Sequence, residues 1–188
     1  MSRIVSLLIG YLLGSFLTAE LVVGKITGRS PFTYGSHNPG MVNVKRREGL
    51  GWGLVVLFGD LLKTGLACAV SYWLFGRGIW ILWAGVGAVL GHDFPFWHRF
   101  HGGEGVASMA AAMVVYHPLI GAASALLGLA VVLCKGGLPL AAVVIPGAFT
   151  LGAFVWLGWE AGVLGCVLLL LMLQRQWKVN KFGAKKDE

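Results

Sequence analysis

The sequence predicts an all-α integral membrane protein of about seven transmembrane helices, with the N-terminus outside and the C-terminus on the cytoplasmic side. Three observations carry this. Apolar residues make up 57% of the 188 positions, charged residues only 12%, and mean hydropathy is +0.77. A soluble domain carries roughly 25% charged residues, and a body this small cannot hide so much apolar side chain. The third observation is the placement of the cations, which fixes the number of spans.

Ile4–Val23 is long enough to cross about 30 Å of hydrocarbon. Thr18-Ala19-Glu20 is a poor cleavage sequence, so the run reads as a retained helix rather than a leader. Glu20 is hard to place from sequence: it sits toward the outer part of this span or faces the bundle. A polar stretch, Gly24–Gly51, follows with Lys25, Arg29, Lys45, Arg46 and Arg47. Further spans are expected at about Gly53–Phe75 and, after Gly76-Arg77-Gly78, at Ile79–Leu90. A glycine- and histidine-rich stretch occupies Gly91–Gly105. Val106–Cys134 is too long for one ordinary span and short for two, but His117-Pro118 interrupts it, and the residue before a proline is biased away from helix. The last spans are expected at about Leu138–Leu157 and Ala161–Leu173, with Glu160 in a short outer loop and a polar, frayed tail from Arg175 to Glu188. The whole chain, 1–188, reads as one polytopic membrane domain.

Charge decides the count. If the break at His117 makes two short helices, 12 of the 15 Lys and Arg residues share one side. Six helices would instead send Lys135 and the basic tail outside, against the cytoplasmic bias of cations in membrane proteins. The net charge of +7 is thereby explained without a nucleic acid partner. Cys68, Cys134 and Cys166 lie in apolar runs with no metal-ligand spacing and are expected to be buried thiols.

Both glycine-rich stretches therefore fall on one face. The first, Gly35-Ser36-His37-Asn38-Pro39-Gly40-Met41-Val42-Asn43, runs into Lys45, Arg46 and Arg47. Glycines let backbone amides approach an anion, and Ser, Asn and cations complete a phosphate-sized cradle. A plain glycine-rich turn beside a cytoplasmic basic cluster explains the same residues. In the second, three histidines lie near Asp93 and Glu104 without the spacing of a metal site, and Gly102-Gly103-Glu104-Gly105 opens a helix whose first amides favour an anion. Asp60 and Lys63, three apart inside a span, share a helix face and form either a functional intramembrane pair or a structural one.

Together these segments resemble the bacterial acyl-phosphate:glycerol-3-phosphate acyltransferase (PlsY) family. The resemblance rests on Gly14-Ser15 with Gly24-Lys25, the loop Gly35–Gly40 with Asn43 and Arg46, Asp60-Leu61-Leu62-Lys63, and Gly91-His92-Asp93-Phe94-Pro95 through Phe100–Ala107. It implies a seven-helix enzyme of the bacterial inner membrane that moves a fatty acyl group from acyl phosphate to the sn-1 hydroxyl of glycerol 3-phosphate, without cofactor or metal. It also implies a substrate site of Gly35, Asn38, Asn43, Arg46, Gly102, Gly103, Glu104, Gly105 and Asn180, with Ser36 or His92 orienting the attacking hydroxyl.

Three positions depart from the family pattern. Glu104 stands where a Gly-Gly-Lys-Gly motif has lysine, Trp177 stands where Arg-His-x-x-Asn has histidine, and Gly137-Leu138-Pro139-Leu140 replaces a Ser-Leu-x-Ser stretch. A divergent acyltransferase, a non-catalytic or altered-substrate paralogue, and a small transporter of a phosphorylated anion gated by Asp60–Lys63 are the competing readings. Single cysteines placed within 35–47 and within 91–105 should react with a membrane-impermeant thiol reagent from the same side of the bilayer. Labelling from opposite sides would rule out a shared pocket.

Overall fold

The computed structural model describes the backbone of residues 1–183 and the side chains of residues 1–176. Among the described residues the fold is all-helical: α1 (Ser2–Gly14), α2 (Thr18–Thr27), α3 (Met41–Glu48), α4 (Leu50–Phe75), α5 (Trp80–Asp93), α6 (Val106–Tyr116), α7 (Pro118–Leu133), α8 (Gly137–Trp156) and α9 (Trp159–Gly183). Ser2–Thr27, Leu50–Phe75 and Gly137–Trp156 are each long and apolar enough to cross a membrane. Large apolar side chains such as Phe58, Leu62, Trp73, Leu119 and Leu151 cover the outside, as a lipid-facing surface requires.

The break at His117 is present. Its side chain caps α7 by accepting from the Ile120 amide, and Pro118 starts that helix where its missing N–H is harmless. Some expectations are corrected. The first span is not continuous: it breaks at Ser15-Phe16-Leu17 between α1 and α2. The expected frayed tail instead continues α9 to Gly183. Of the three cysteines only Cys68 is buried, while Cys134 is exposed and Cys166 half-buried. Sequence hydropathy cannot distinguish a helix face turned to lipid from one turned to protein.

α5 is the central helix, with buried residues on all sides, and packs against α1, α4, α6 and α9. Its partner α1 comes unusually close because both carry glycines four apart. A Cβ on Gly10 or Gly14 would run into the main chain of Ala84 or Ala88, and one on Gly87 or Gly91 into that of Leu7 or Tyr11. Small residues allow such backbone approach between membrane helices. On the other side of α5, Leu82, Val86 and Val89 meet Met109 and Met113 of α6, Phe149 of α8, and Leu164, Leu168 and Met172 of α9 in one buried cluster.

The two ends of the bundle differ chemically. One end carries Glu160, in the first turn of α9 rather than in a loop, held by Arg3 and by the Trp83 indole at 2.9 Å. The other carries both glycine-rich stretches. Glu20 lies towards that second end, accepting from the Ser30 hydroxyl at 2.8 Å. Replacing Gly14 with leucine should lower stability by about 1–3 kcal/mol, the usual cost of overpacking, read as a lower unfolding midpoint in detergent. Gly24→Ala, where a Cβ meets nothing within 4 Å, should leave the midpoint unchanged.

Candidate active site

The helix break at residues 15–17 is the starting point. It removes helical partners from main-chain carbonyls inside an apolar bundle, where each such group needs another partner. The Trp97 indole donates to the Ser15 carbonyl at 3.0 Å, and the Lys63 ammonium to the Phe16 carbonyl at 2.9 Å. Tyr11 adds a bond from its hydroxyl to the Phe94 carbonyl at 2.8 Å. The second glycine-rich stretch is thus fastened to the broken helix.

Asp60 and Lys63 form the predicted pair, with Lys63 Nζ 2.9 Å from Asp60 Oδ1 and both side chains buried. The third partner of the ammonium is His92 Nδ1, at 2.7 Å. An ammonium only donates, so Nδ1 accepts and the imidazole proton is assigned to Nε2. Thr18 donates to the same Asp60 oxygen at 3.1 Å. The Nε2 edge of His92 lies against Gly103, where a Cβ would collide with it, and the His92 carbonyl accepts from the Gly103 amide at 3.0 Å.

The first loop is built around Asn43. Its Oδ1 accepts from the Ser36 amide at 3.1 Å, and its Nδ2 reaches the carbonyls of Pro31, Tyr34 and Asn38. Gly35 must be glycine: its φ is +60°, and a Cβ would strike Asn43 Oδ1. Asn43 is buried, while Ser36 and Arg46 are exposed, Arg46 on α3. Burial first, then the nearby Glu48 and Glu20 carboxylates, push the Tyr34 phenol above its usual range, which leaves a neutral hydroxyl beneath this loop.

The two loops meet. Asn38 Nδ2 donates to Glu104 Oε1 at 2.7 Å, and Gln176 Nε2 of α9 reaches Glu104 Oε2 at 3.4 Å. Arg175 donates to the carbonyls of Gly102, at 2.6 Å, and Gly103, and lies over the Phe94 ring at 5.4 Å. α6 begins after Gly105 with no side-chain cap, so its first amides remain available to an anion. Among the described residues no group of His, Cys, Asp and Glu is arranged to hold a metal ion.

Of the sequence candidates, Ser36, Asn38, Asn43, His92, Gly102, Gly103, Glu104 and Gly105 thus converge at one end of the bundle, with Asp60 and Lys63 behind His92. The Asn180 side chain lies outside the described residues. Arg175 and Gln176 were missed because the tail was expected to fray. A signal existed: Leu164, Leu168, Met172 and Gln176 are four apart and share one buried helix face.

The matching family model, described as glycerol-3-phosphate acyltransferase, covers residues 4–181. The chain belongs to the glycerol-3-phosphate acyltransferase family. A member from Lactobacillus acidophilus is 40% identical over 179 residues, 95% of this chain and 86% of that protein. One from Dehalococcoides mccartyi is 38% identical, over 89% of this chain and 84% of that protein. The crystal structure of the integral membrane glycerol 3-phosphate acyltransferase PlsY in its glycerol 3-phosphate form superposes with a TM-score of 0.84 at 28% identity, over 98% of this chain and 94% of that one. Its lysophosphatidic acid form gives 0.83. The acyltransferase family resemblance read from the motifs is therefore correct.

Within this candidate site, removing one member of the Asp60–Lys63 pair should be far worse than removing both. Lys63→Met leaves a buried carboxylate without its counterion, a loss of about 3–5 kcal/mol. Asp60→Asn/Lys63→Met should recover a large part of that stability in unfolding measurements. Additive losses would show that the two side chains are not coupled.

Proposed function

We propose that this chain, a glycerol-3-phosphate acyltransferase of phospholipid synthesis by family, takes its acyl group from acyl phosphate and delivers it to the sn-1 hydroxyl of glycerol 3-phosphate. The products are lysophosphatidic acid and inorganic phosphate. The observation that carries this reading is the meeting of the two glycine-rich loops at Asn38 and Glu104, over the uncapped start of α6. An anion-binding helix start, an exposed arginine and hydroxyl and amide groups suit two phosphate-bearing substrates.

Acyl phosphate is a mixed anhydride and already activated. The sn-1 oxygen attacks the acyl carbonyl carbon, the bond from that carbon to the bridging phosphate oxygen breaks, and its electron pair leaves with phosphate. The hydroxyl proton ends on a phosphate oxygen, so no enzyme nucleophile and no cofactor enter the scheme. Catalysis then consists of positioning and charge neutralisation. Arg46 and the amides of Gly35, Glu104 and Gly105 hold phosphate, those of Ser36 and Gly103 being engaged within the loops. Ser36 orients the hydroxyl, and His92, fixed by Lys63, presents its Nε2 proton towards the Gly103 turn. Asn43 serves by holding the first loop in shape. Asn180, carried on α9, is assigned to the substrate site on the family resemblance alone.

The membrane arrangement follows the same reading. α1 with α2 makes one span, and α4 to α9 make one each, seven in all within a single membrane unit. The N-terminus is outside, and the end bearing both loops faces the cytoplasm of a bacterial inner membrane, where 12 of the 15 Lys and Arg residues then lie. Acyl phosphate is drawn from the bilayer and glycerol 3-phosphate from the cytosol.

Purified protein given acyl phosphate and labelled glycerol 3-phosphate should release phosphate and lysophosphatidate in equal amounts. Uptake of the anion into vesicles without acylated product would establish a transporter instead. Arg46→Ala should raise the KM for glycerol 3-phosphate about 10- to 100-fold, the scale of one lost charge-assisted hydrogen bond. Unchanged kinetics would remove Arg46 from the site.

A further inference from the structure

The turn that opens α6 has no cation: Gly102-Gly103-Glu104-Gly105 carries a carboxylate at the start of a helix proposed to bind phosphate. Left free, that carboxylate would repel the substrate. The structure shows it engaged on both oxygens, by the amide nitrogens of Asn38 and Gln176. These come from the first loop and from α9, so Glu104 joins three segments that are distant in sequence. Its orientation also fixes the two amides. With both NH2 groups turned to Glu104, their oxygens face away from it. Asn38 Oδ1 is buried without a protein partner among the described residues, and so is Gln176 Oε1.

One residue before Gln176, Arg175 reaches the same loop from the same helix. One of its nitrogens, Nη2, bonds the carbonyls of Gly102 and Gly103. Phe94 supports the guanidinium plane. A guanidinium has five N–H donors in a planar fork, and the two carbonyls engage only this one nitrogen. The donors on Nε and Nη1 are not used by these bonds. The carbonyls that hold Arg175 belong to the turn whose following amides, at Gly105 and the first turn of α6, have no side-chain cap. Arg175 is thus a fixed positive charge beside an anion-binding helix start.

We propose that Arg175 is a substrate-binding residue that supplies the cationic contact to the phosphate at the second loop, and that Glu104 is a positioning residue that latches this loop to Asn38 and Gln176. The ligand group is a phosphate monoester or acyl phosphate dianion. The inference rests on the reading of the site as an acyl-transfer centre, and binding and turnover separate the two.

The test uses the full chain in lipid nanodiscs and measures glycerol 3-phosphate binding by titration calorimetry beside acyl transfer. Arg175→Gln should weaken glycerol 3-phosphate, in both Kd and KM, about 10- to 100-fold, the range of a lost charge-assisted hydrogen bond. The kcat at saturation should fall less than threefold. Arg175→Lys keeps the charge but not the fork and should recover at least a third of the lost log affinity. Arg175→Gln/Glu104→Lys should bind more tightly than Arg175→Gln, because it returns a cation to the loop. Equal losses in the Lys and Gln variants would assign Arg175 to holding the loop alone and overturn the proposal, as would a Kd within twofold of wild type in Arg175→Gln. Wild-type protein that binds glycerol 3-phosphate without acylating it would sink the transfer reading and leave the Arg175 comparison decisive on Kd. For Glu104, the conservative Glu104→Gln should keep KM within threefold and Glu104→Ala should not. Identical KM values in Glu104→Ala and wild type would overturn the latch.

Discussion

A lysine ammonium enclosed among membrane helices must find an acceptor for each of its three protons. Lys63 finds the Phe16 carbonyl, Asp60 Oδ1 and His92 Nδ1, at 2.9, 2.9 and 2.7 Å. Each contact determines something different. The first stabilises a helix break that would otherwise leave a bare carbonyl in an apolar setting. The second offsets the charge. The third selects the tautomer of His92 and so decides that its outer edge donates. An apolar residue at 63 would leave the Phe16 carbonyl and His92 Nδ1 without these partners and Asp60 with Thr18 but no counterion. An isolated buried ion carries a penalty of several kcal/mol, so the pair persists only because its other hydrogen bonds are complete. Thr18 completes that set from α2, beyond the break.

The close contact of α1 with α5 makes this geometry possible. Glycines at 10, 14, 87 and 91 bring the two backbones together, so the broken end of α1 lies beside the end of α5 that carries His92. Larger residues would separate the Phe16 carbonyl from Lys63 and the Tyr11 hydroxyl from Phe94. Packing along a helix of about 20 Å thereby sets the hydrogen bonds at its broken end. The second loop inherits that precision through Trp97 and Tyr11, and the first loop receives its shape separately, from Asn43.

The sequence displayed the chemistry more clearly than the architecture. The Asp60–Lys63 pair was readable because three residues on a helix return to one face, and the His117-Pro118 break because proline restricts its predecessor. The shared face of the two loops followed from counting cations. The break at residues 15–17 was invisible: hydropathy averages over Gly14-Ser15 without registering that Lys63 and Trp97, far along the chain, take the freed carbonyls. Glu104 looked like a charge misplaced at a phosphate loop because its partners, Asn38 and Gln176, are 66 and 72 residues away. Side-chain bonds between distant segments leave no local periodicity to read.

A helix N-terminus attracts whichever anion can reach it, and the nearest acidic side chains are the protein's own: Glu104, one residue before the cap, and Asp93, whose Oδ1 lies close to Gly105. Either would occupy the amides and close the site to phosphate. Neither caps the helix. The Glu104 carboxylate is drawn aside by two amide groups, and Asp93 stays at the buried end of α5, with both oxygens unpartnered among the described residues. A side chain at 105 would strike Asp93, and φ of +66° there favours glycine, so the turn itself holds the backbone in the conformation that presents α6. A carboxylate at this loop is therefore compatible with an anion site as long as other donors hold it. At this proposed phosphate site the direction of the Glu104 oxygens, which Asn38 and Gln176 set from two other parts of the chain, leaves the first amides of α6 uncapped.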